Sequence, residues 1–400
     1  MVLALFSVTS IVEAIGISQV FAFMPLYLQE LGLPREVVPQ WVGALSALVF
    51  VLGLPLVPLW GVWADKFSRK AVIIRSAVVE SVVFVLIALS REPWQLAGSF
   101  LLSGFQLGNS GVMLAAIRDV TPRWRLGTAI AVFGATWSIG SAVGPVLGGL
   151  MIDGLRAPIS AVYVLAAALS LASAMLLAVG FREVRPEVAP TGRVLGLAFG
   201  AVRGVLSDRA TRRLFAVFGI SLLGRQMSFP FLPLLVERVT GNAMGVASAI
   251  ALVVGSAALL GGLISPLAGT LGDRVGFRPV LTLSLVGSGA ALALMPFVPA
   301  VPPLAAANAI VSILAGAVSA MVFALLAEEV PPDRRSATLN LVYLPLYLAG
   351  IVGPALGALI VAAGLPVVFV LGGLAQMGAV LLVLAGRPRS EGAGQESSGD

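Results

Sequence analysis

Two stretches about half a chain apart carry one sparse pattern: Gly61-Val62-Trp63-Ala64-Asp65-Lys66-Phe67-Ser68-Arg69-Lys70 and Gly269-Thr270-Leu271-Gly272-Asp273-Arg274-Val275-Gly276-Phe277-Arg278. Each closes a long apolar run with a Gly, sets an Asp four residues later and adds two or more cations. Asp65 and Asp273 stand 208 residues apart, and nearly the same register returns in Pro25-Leu26 against Pro233-Leu234, Gly144-Pro145 against Gly353-Pro354, and Asp119 against Glu329. The chain is a duplicated unit. Two like halves of a membrane chain are the mark of a secondary transporter, whose substrate site lies between them near the bilayer midplane.

An apolar run of about 20 residues spans a bilayer as a helix. Twelve occur, at roughly 4–28, 41–61, 71–90, 94–117, 127–150, 158–180, 214–236, 245–270, 279–298, 303–327, 336–362 and 365–385. With 58% hydrophobic and 11% charged residues and a mean hydropathy of +1.02, the chain needs lipid as its solvent. The expected fold is an all-α polytopic membrane protein of twelve transmembrane helices in two pseudo-symmetric six-helix bundles, 1–180 and 214–386. A cytoplasmic linker, 181–213, joins them; its part from Gly192 to Arg213 alternates apolar residues with Arg and suits a helix lying on the membrane face. The Gly- and Ser-rich tail, 387–400, reads as disordered.

Cations orient the chain. All 25 Lys and Arg except Arg35, Arg91, Arg156, Arg238 and the intrahelical Arg225 fall on the side of the even-to-odd loops and the tail. By the positive-inside rule that side, with both termini, is cytoplasmic, and the expected location is the cell membrane. The net charge of +6 reports topology and attraction to anionic lipid, with no nucleic-acid role. The chain has no Cys, hence no disulfide or thiol chemistry, and no His, so any proton coupling must use carboxylates. It also lacks a phosphate-binding Gly loop and a metal-ligand cluster, so neither an enzyme nor a bound cofactor is expected, and a proton gradient is the expected driving force.

Three charges lie deep in apolar runs: Glu13 in the first, Glu80 in the third and Arg225 in the seventh. Each is about 14–16 Å from the cytoplasmic end at 1.5 Å per residue, where a charge costs about 2.5–3.5 kcal/mol. The first and seventh runs are symmetry mates, so Glu13 and Arg225 are expected to face each other across the central cavity, either as a coupling pair or as a structural pair that offsets its own burial. Glu13 is the candidate proton carrier. Helical faces nominate Gln19, Gln106, Asn109, Met113, Trp137, Gln226, Asn308, Asn340, Tyr343 and Tyr347 as cavity lining. For any single one, an interhelical hydrogen bond of about 0.6 kcal/mol is the alternative. Amides, aromatics and Met with few charges suit an amphipathic organic substrate.

The doubled Gly-x-x-x-Asp-Arg/Lys turn within twelve helices resembles the signature loop of the major facilitator superfamily over nearly the whole chain. The resemblance implies a gate at the cytoplasmic side made of Gly61, Asp65, Lys66, Arg69 and Lys70 and of Gly269, Asp273, Arg274 and Arg278, with Asp65 latching one access state and Arg69 and Lys70 as its partners. A second motif, Gly140, Gly144-Pro145 and Gly148-Gly149 in the fifth run, resembles the antiporter signature of the twelve-helix drug:proton exporters. That branch implies proton-driven multidrug efflux by a monomer embedded in the bilayer. An uptake symporter or a lipid or lysolipid translocase of the same fold stays open beside it. One departure is plain: where those antiporters carry an Arg in helix 4, this chain has Gly104, which leaves the coupling route open.

Overall fold

The computed structural model describes residues 2–184, 192–197, 200, 203, 209–241, 245–265, 267–329 and 344–385. Twelve helices in it are long and apolar enough to cross a membrane: α1 (Val2–Glu30), α2 (Val38–Lys66), α3 (Arg69–Leu89), α4 (Pro93–Val120), α5 (Leu126–Gly154), α6 (Ile159–Gly180), α7 (Thr211–Thr240), α8 (Val246–Ile264), α9 (Phe277–Phe297), α10 (Val301–Leu326), α11 (Leu344–Ala363) and α12 (Leu365–Leu384). No strand occurs among the described residues. Large apolar side chains such as Leu89, Val179, Leu283 and Leu381 face outward, as they do when lipid is the solvent. About half of the linker 181–213 and the whole of the tail 387–400 lie outside the described residues.

The duplication is visible in the packing. In the first half α1 packs on α5 and α6, α2 on α4, and α3 on α6; in the second α7 packs on α11 and α12, α8 on α10, and α9 on α12. Adding six to each label converts one set into the other. The halves meet along α2 with α11 and along α5 with α8, which are themselves exchanged by the same operation.

Glycines set the closest of these approaches. A β-carbon on Gly140 would strike the Ile11 carbonyl and Ala14, one on Gly144 would strike Ser18 and the Ile15 carbonyl, and one on Gly148 would strike Phe23. The fifth-run motif is therefore the groove that seats α1. Its echo does the same for α7, where Gly353 and Gly357 meet Met227 and Phe231. Gly149 instead faces Ala251 of α8 across the interface between halves.

One buried apolar cluster runs through both halves on the side away from the termini, joining residues such as Phe23, Leu45 and Phe100 to Phe231, Leu235 and Phe369. On the side of the termini there are two separate clusters, one around Ile73, Ile117 and Leu177 and one around Phe218, Leu281 and Leu326. Polar contacts also tie the halves on the far side. Gln29 donates to Glu237 at 3.0 Å, Arg35 lies 3.8 Å from the same carboxylate, and Asp153 accepts from the Ser248 backbone N–H that opens α8, at 2.6 Å.

Candidate functional site

Between the halves lies a cavity of about 470 Å³, within the usual range for a small-molecule site. Phe21 of α1, Phe50 of α2, Trp137 of α5 and Phe229 of α7 contribute aromatic faces. Phe21 and Phe229 meet across the two halves with ring centroids 6.3 Å apart, and Phe50 meets Tyr347 of α11 at 6.1 Å. Of the expected lining residues, Trp137, Gln226 and Asn308 reach the cavity, although Asn308 also donates to the Val253 carbonyl at 3.0 Å. Tyr347 stands behind Phe50. Asn340 and Tyr343 lie outside the described residues.

The other expected lining residues turn inward instead. Gln19 is fully buried and donates to the Gly144 carbonyl at 3.1 Å, bridging α1 and α5 at the glycine groove. Gln106, Asn109 and Met113 are buried inside the first bundle. Helical periodicity fixes which residues share a face but not which neighbour that face meets, and here it meets the rest of the bundle.

Helix α4 is interrupted. A 3₁₀ turn at Ser103–Phe105 and Gly108 in the left-handed region (φ 93°) end its first half, and a fresh helix starts at Asn109. Helix α3 satisfies the freed carbonyls: Arg75 Nη2 donates to the Leu107 carbonyl at 2.9 Å and to Gln106 at 3.4 Å, and Ser76 Oγ donates to Gln106. The Arg75 guanidinium stacks 3.9 Å from the Trp60 ring. A cation inside an apolar run was the signal the sequence offered for Arg75; the break it caps was not legible.

Glu13 and Arg225 do not pair. Glu13 accepts from Asn109 Nδ2 at 2.8 Å, at the start of the second α4 half. Glu80, 2% exposed, lies on the same side, with Oε1 3.2 Å from where a β-carbon on Gly16 would stand and close enough to Glu13 for the two charges to interact. Glu80 Oε1 and Gln106 Oε1 have no hydrogen-bond partner among the described residues. Glu80 is thus interior to the first bundle. Arg225 lines the cavity from α7, and the 208-residue repeat explains the mismatch: it sets Arg225 against Ile17, also in the lining, and Glu13 against Ser221. Glu13 lies one turn before Ile17.

The gate motif is built in one half. Arg69, 1% exposed, donates to Asp65 at 2.8 Å and to Asp119 at 2.6 Å. Glu183, just after α6, accepts from Ser68 Oγ and from the backbone N–H groups of Arg69 and Lys70, which caps α3. Lys70 donates to the Ala178 carbonyl and Lys66 to Gly192, so neither pairs with Asp65. In the second half Phe277 stands where Arg69 would and packs against Gly272, while Asp273 and Arg274 are exposed. Among the described residues, a β-carbon on Gly61 or Gly269 would meet nothing within 4 Å.

Two pseudo-symmetric six-helix bundles enclosing a small-molecule cavity at their interface define a secondary transporter. The family model for the Major Facilitator Superfamily matches residues 6–241 and 214–400, and the chain belongs to that family. It is similar to the multidrug resistance protein MdtG of Salmonella typhi, 30% identical over 295 residues covering 70% of this chain and 69% of that protein. Its likeness to the same protein of Citrobacter koseri is 31% over 292 residues, covering 70% and 68%. Among solved structures it resembles the nucleoside transporter NupG, with a TM-score of 0.79, 15% identity and coverage of 96% and 99%. It also resembles a POT family transporter bound to 5-aminolevulinic acid, with a TM-score of 0.76, 13% identity and coverage of 96% and 95%.

Proposed function

We propose that this protein is a monomeric plasma-membrane exporter, with both termini cytoplasmic, that exchanges amphipathic organic compounds for protons by rocking its two bundles about the central cavity. The split of the apolar clusters on the side of the termini then makes this the inward-facing state. Similarity to multidrug resistance proteins supports efflux as the direction.

The observation that carries proton exchange is the Glu13–Asn109 contact. It places a carboxylate one helical turn from the cavity, beside a second interior carboxylate, Glu80, and at the start of a half-helix whose backbone N–H groups favour negative charge. A proton arriving at Glu13 weakens its bond to Asn109, which couples protonation to the seating of α1 on α4. Export from inverted vesicles under an imposed pH gradient tests this, comparing the parent with Glu13→Gln. Gradient-driven export is expected in the parent and lost in the variant. Export untouched by the substitution would remove Glu13 as carrier, and movement independent of the gradient would favour facilitated or lipid transport.

A further inference from the structure

The charge inside the cavity is unbalanced. Arg225 is the sole ionisable side chain among the described lining residues, and none of the described residues offers it a carboxylate. Neither interior acid of the first half is in the lining: Glu13 accepts from Asn109, and Glu80 is buried beside Gly16 of α1. A guanidinium between lipid-spanning helices is expensive, and such a charge facing a cavity marks a substrate or ion path. The planar fork of the guanidinium matches the paired oxygens of a carboxylate, sulfonate or phosphonate. The same cavity is lined by the aromatic faces of Phe21, Phe50, Trp137 and Phe229, and Gln226 adds a neutral donor next to Arg225 in sequence.

We infer that the cavity selects amphiphiles carrying one negative charge, with Arg225 anchoring the anionic group and the aromatic walls taking the apolar body. The inference rests on the exporter reading and narrows it, because a guanidinium with no acid among the described walls repels a lipophilic cation and attracts an anion. Arg225 is then the specificity-determining residue, and Glu13, outside the cavity lining, is left free to handle the proton.

The test uses two probes with one apolar body and opposite charge, radiolabelled naphthalene-2-sulfonate and 2-naphthyltrimethylammonium. Binding to the purified full chain in detergent is measured by equilibrium dialysis against detergent alone. The sulfonate is expected to bind at least about tenfold more tightly than the ammonium, Arg225→Gln to bring the two within about twofold, and Arg225→Lys to keep part of the preference. Each variant must first elute as the parent does on size exclusion; the Lys variant keeps the comparison decisive if the Gln variant does not fold. Equal or tighter ammonium binding, an unchanged preference in Arg225→Gln, or no binding of either probe overturns the inference. In proteoliposomes, export of the ammonium and not the sulfonate sinks the anion selectivity while the exporter reading survives. No movement of either probe or of any drug in a wider panel sinks the exporter reading itself.

Discussion

Arg69 shows how one side chain organises a helix junction. Its buried guanidinium sits between Asp65 at the end of α2 and Asp119 at the end of α4. Arg69→Gln therefore removes the cation that Asp65 and Asp119 share and leaves Asp119 with Arg118, 3.1 Å away. A loss of about 2–3 kcal/mol is expected, the scale of charge-assisted hydrogen bonds, read as a lower unfolding midpoint in detergent. Adding Asp119→Asn should return part of the loss, since one of the two carboxylates that shared the cation is then neutral; an unchanged midpoint in the single variant would show that the triad holds nothing. The sequence made Arg69 a gate residue on its motif, but its second partner was legible only as Asp119 closing an apolar run in repeat register. Which of the nearby cations would reach Asp65 was not legible, because flexible Lys66 and Lys70 carry the same charge and find backbone carbonyls instead.

At the scale of elements, α4 is where local sequence and tertiary context part. Gly108 ends a half-helix at φ 93°, yet Gly316, 208 residues on, lies inside an uninterrupted α10. The difference lies in the neighbours: Arg75 and Ser76 satisfy the carbonyls freed in α4, whereas the mate of Arg75 is Leu283, which faces outward. Gly108→Ala is expected to destabilise by about 1–2 kcal/mol through the left-handed backbone alone. Arg75→Met keeps bulk against Trp60 but removes the bonds to carbonyls 106 and 107, about 1–2 kcal/mol more. The two effects should add to less than their sum if the break and its cap form one unit, which a double-mutant cycle on unfolding midpoints would reveal. Strict additivity would mean that Arg75 acts elsewhere.

At the scale of the molecule, the described residues of the two halves share one apolar cluster on one face and keep separate clusters on the other, and among them Gly61 and Gly269 meet no neighbour. Gly61→Val should therefore leave the unfolding midpoint within about 0.5 kcal/mol of the parent. Transport should nevertheless fall sharply, because the rocked state needs that surface for the opposite bundle. A variant that both folds and transports normally would argue against closure at Gly61. Charge movement follows from the site as well. If one proton enters as one monoanion leaves, two charges cross in the sense that an inside-negative potential favours, each worth about 2.3 kcal/mol per 100 mV. Export of naphthalene-2-sulfonate from potassium-loaded proteoliposomes should speed up when valinomycin sets the interior negative, and indifference to the potential would rule out this stoichiometry.

Twelve spans and their halving were legible in the sequence because lipid leaves a chain few choices: runs of the right length become helices, and duplicated runs pack alike. The glycine grooves were legible too, since small residues at four-residue spacing fit one purpose wherever two helices touch. Partner choice was not. Glu13 and Arg225 sit at similar depth on symmetry-related helices, and only the rotation of α1 about its axis decides that Glu13 meets Asn109 while Ile17 meets the cavity. Depth and face follow from composition and period, but the azimuth of a helix is set by the whole of its packing, so which charges meet is a property that the tertiary structure alone decides.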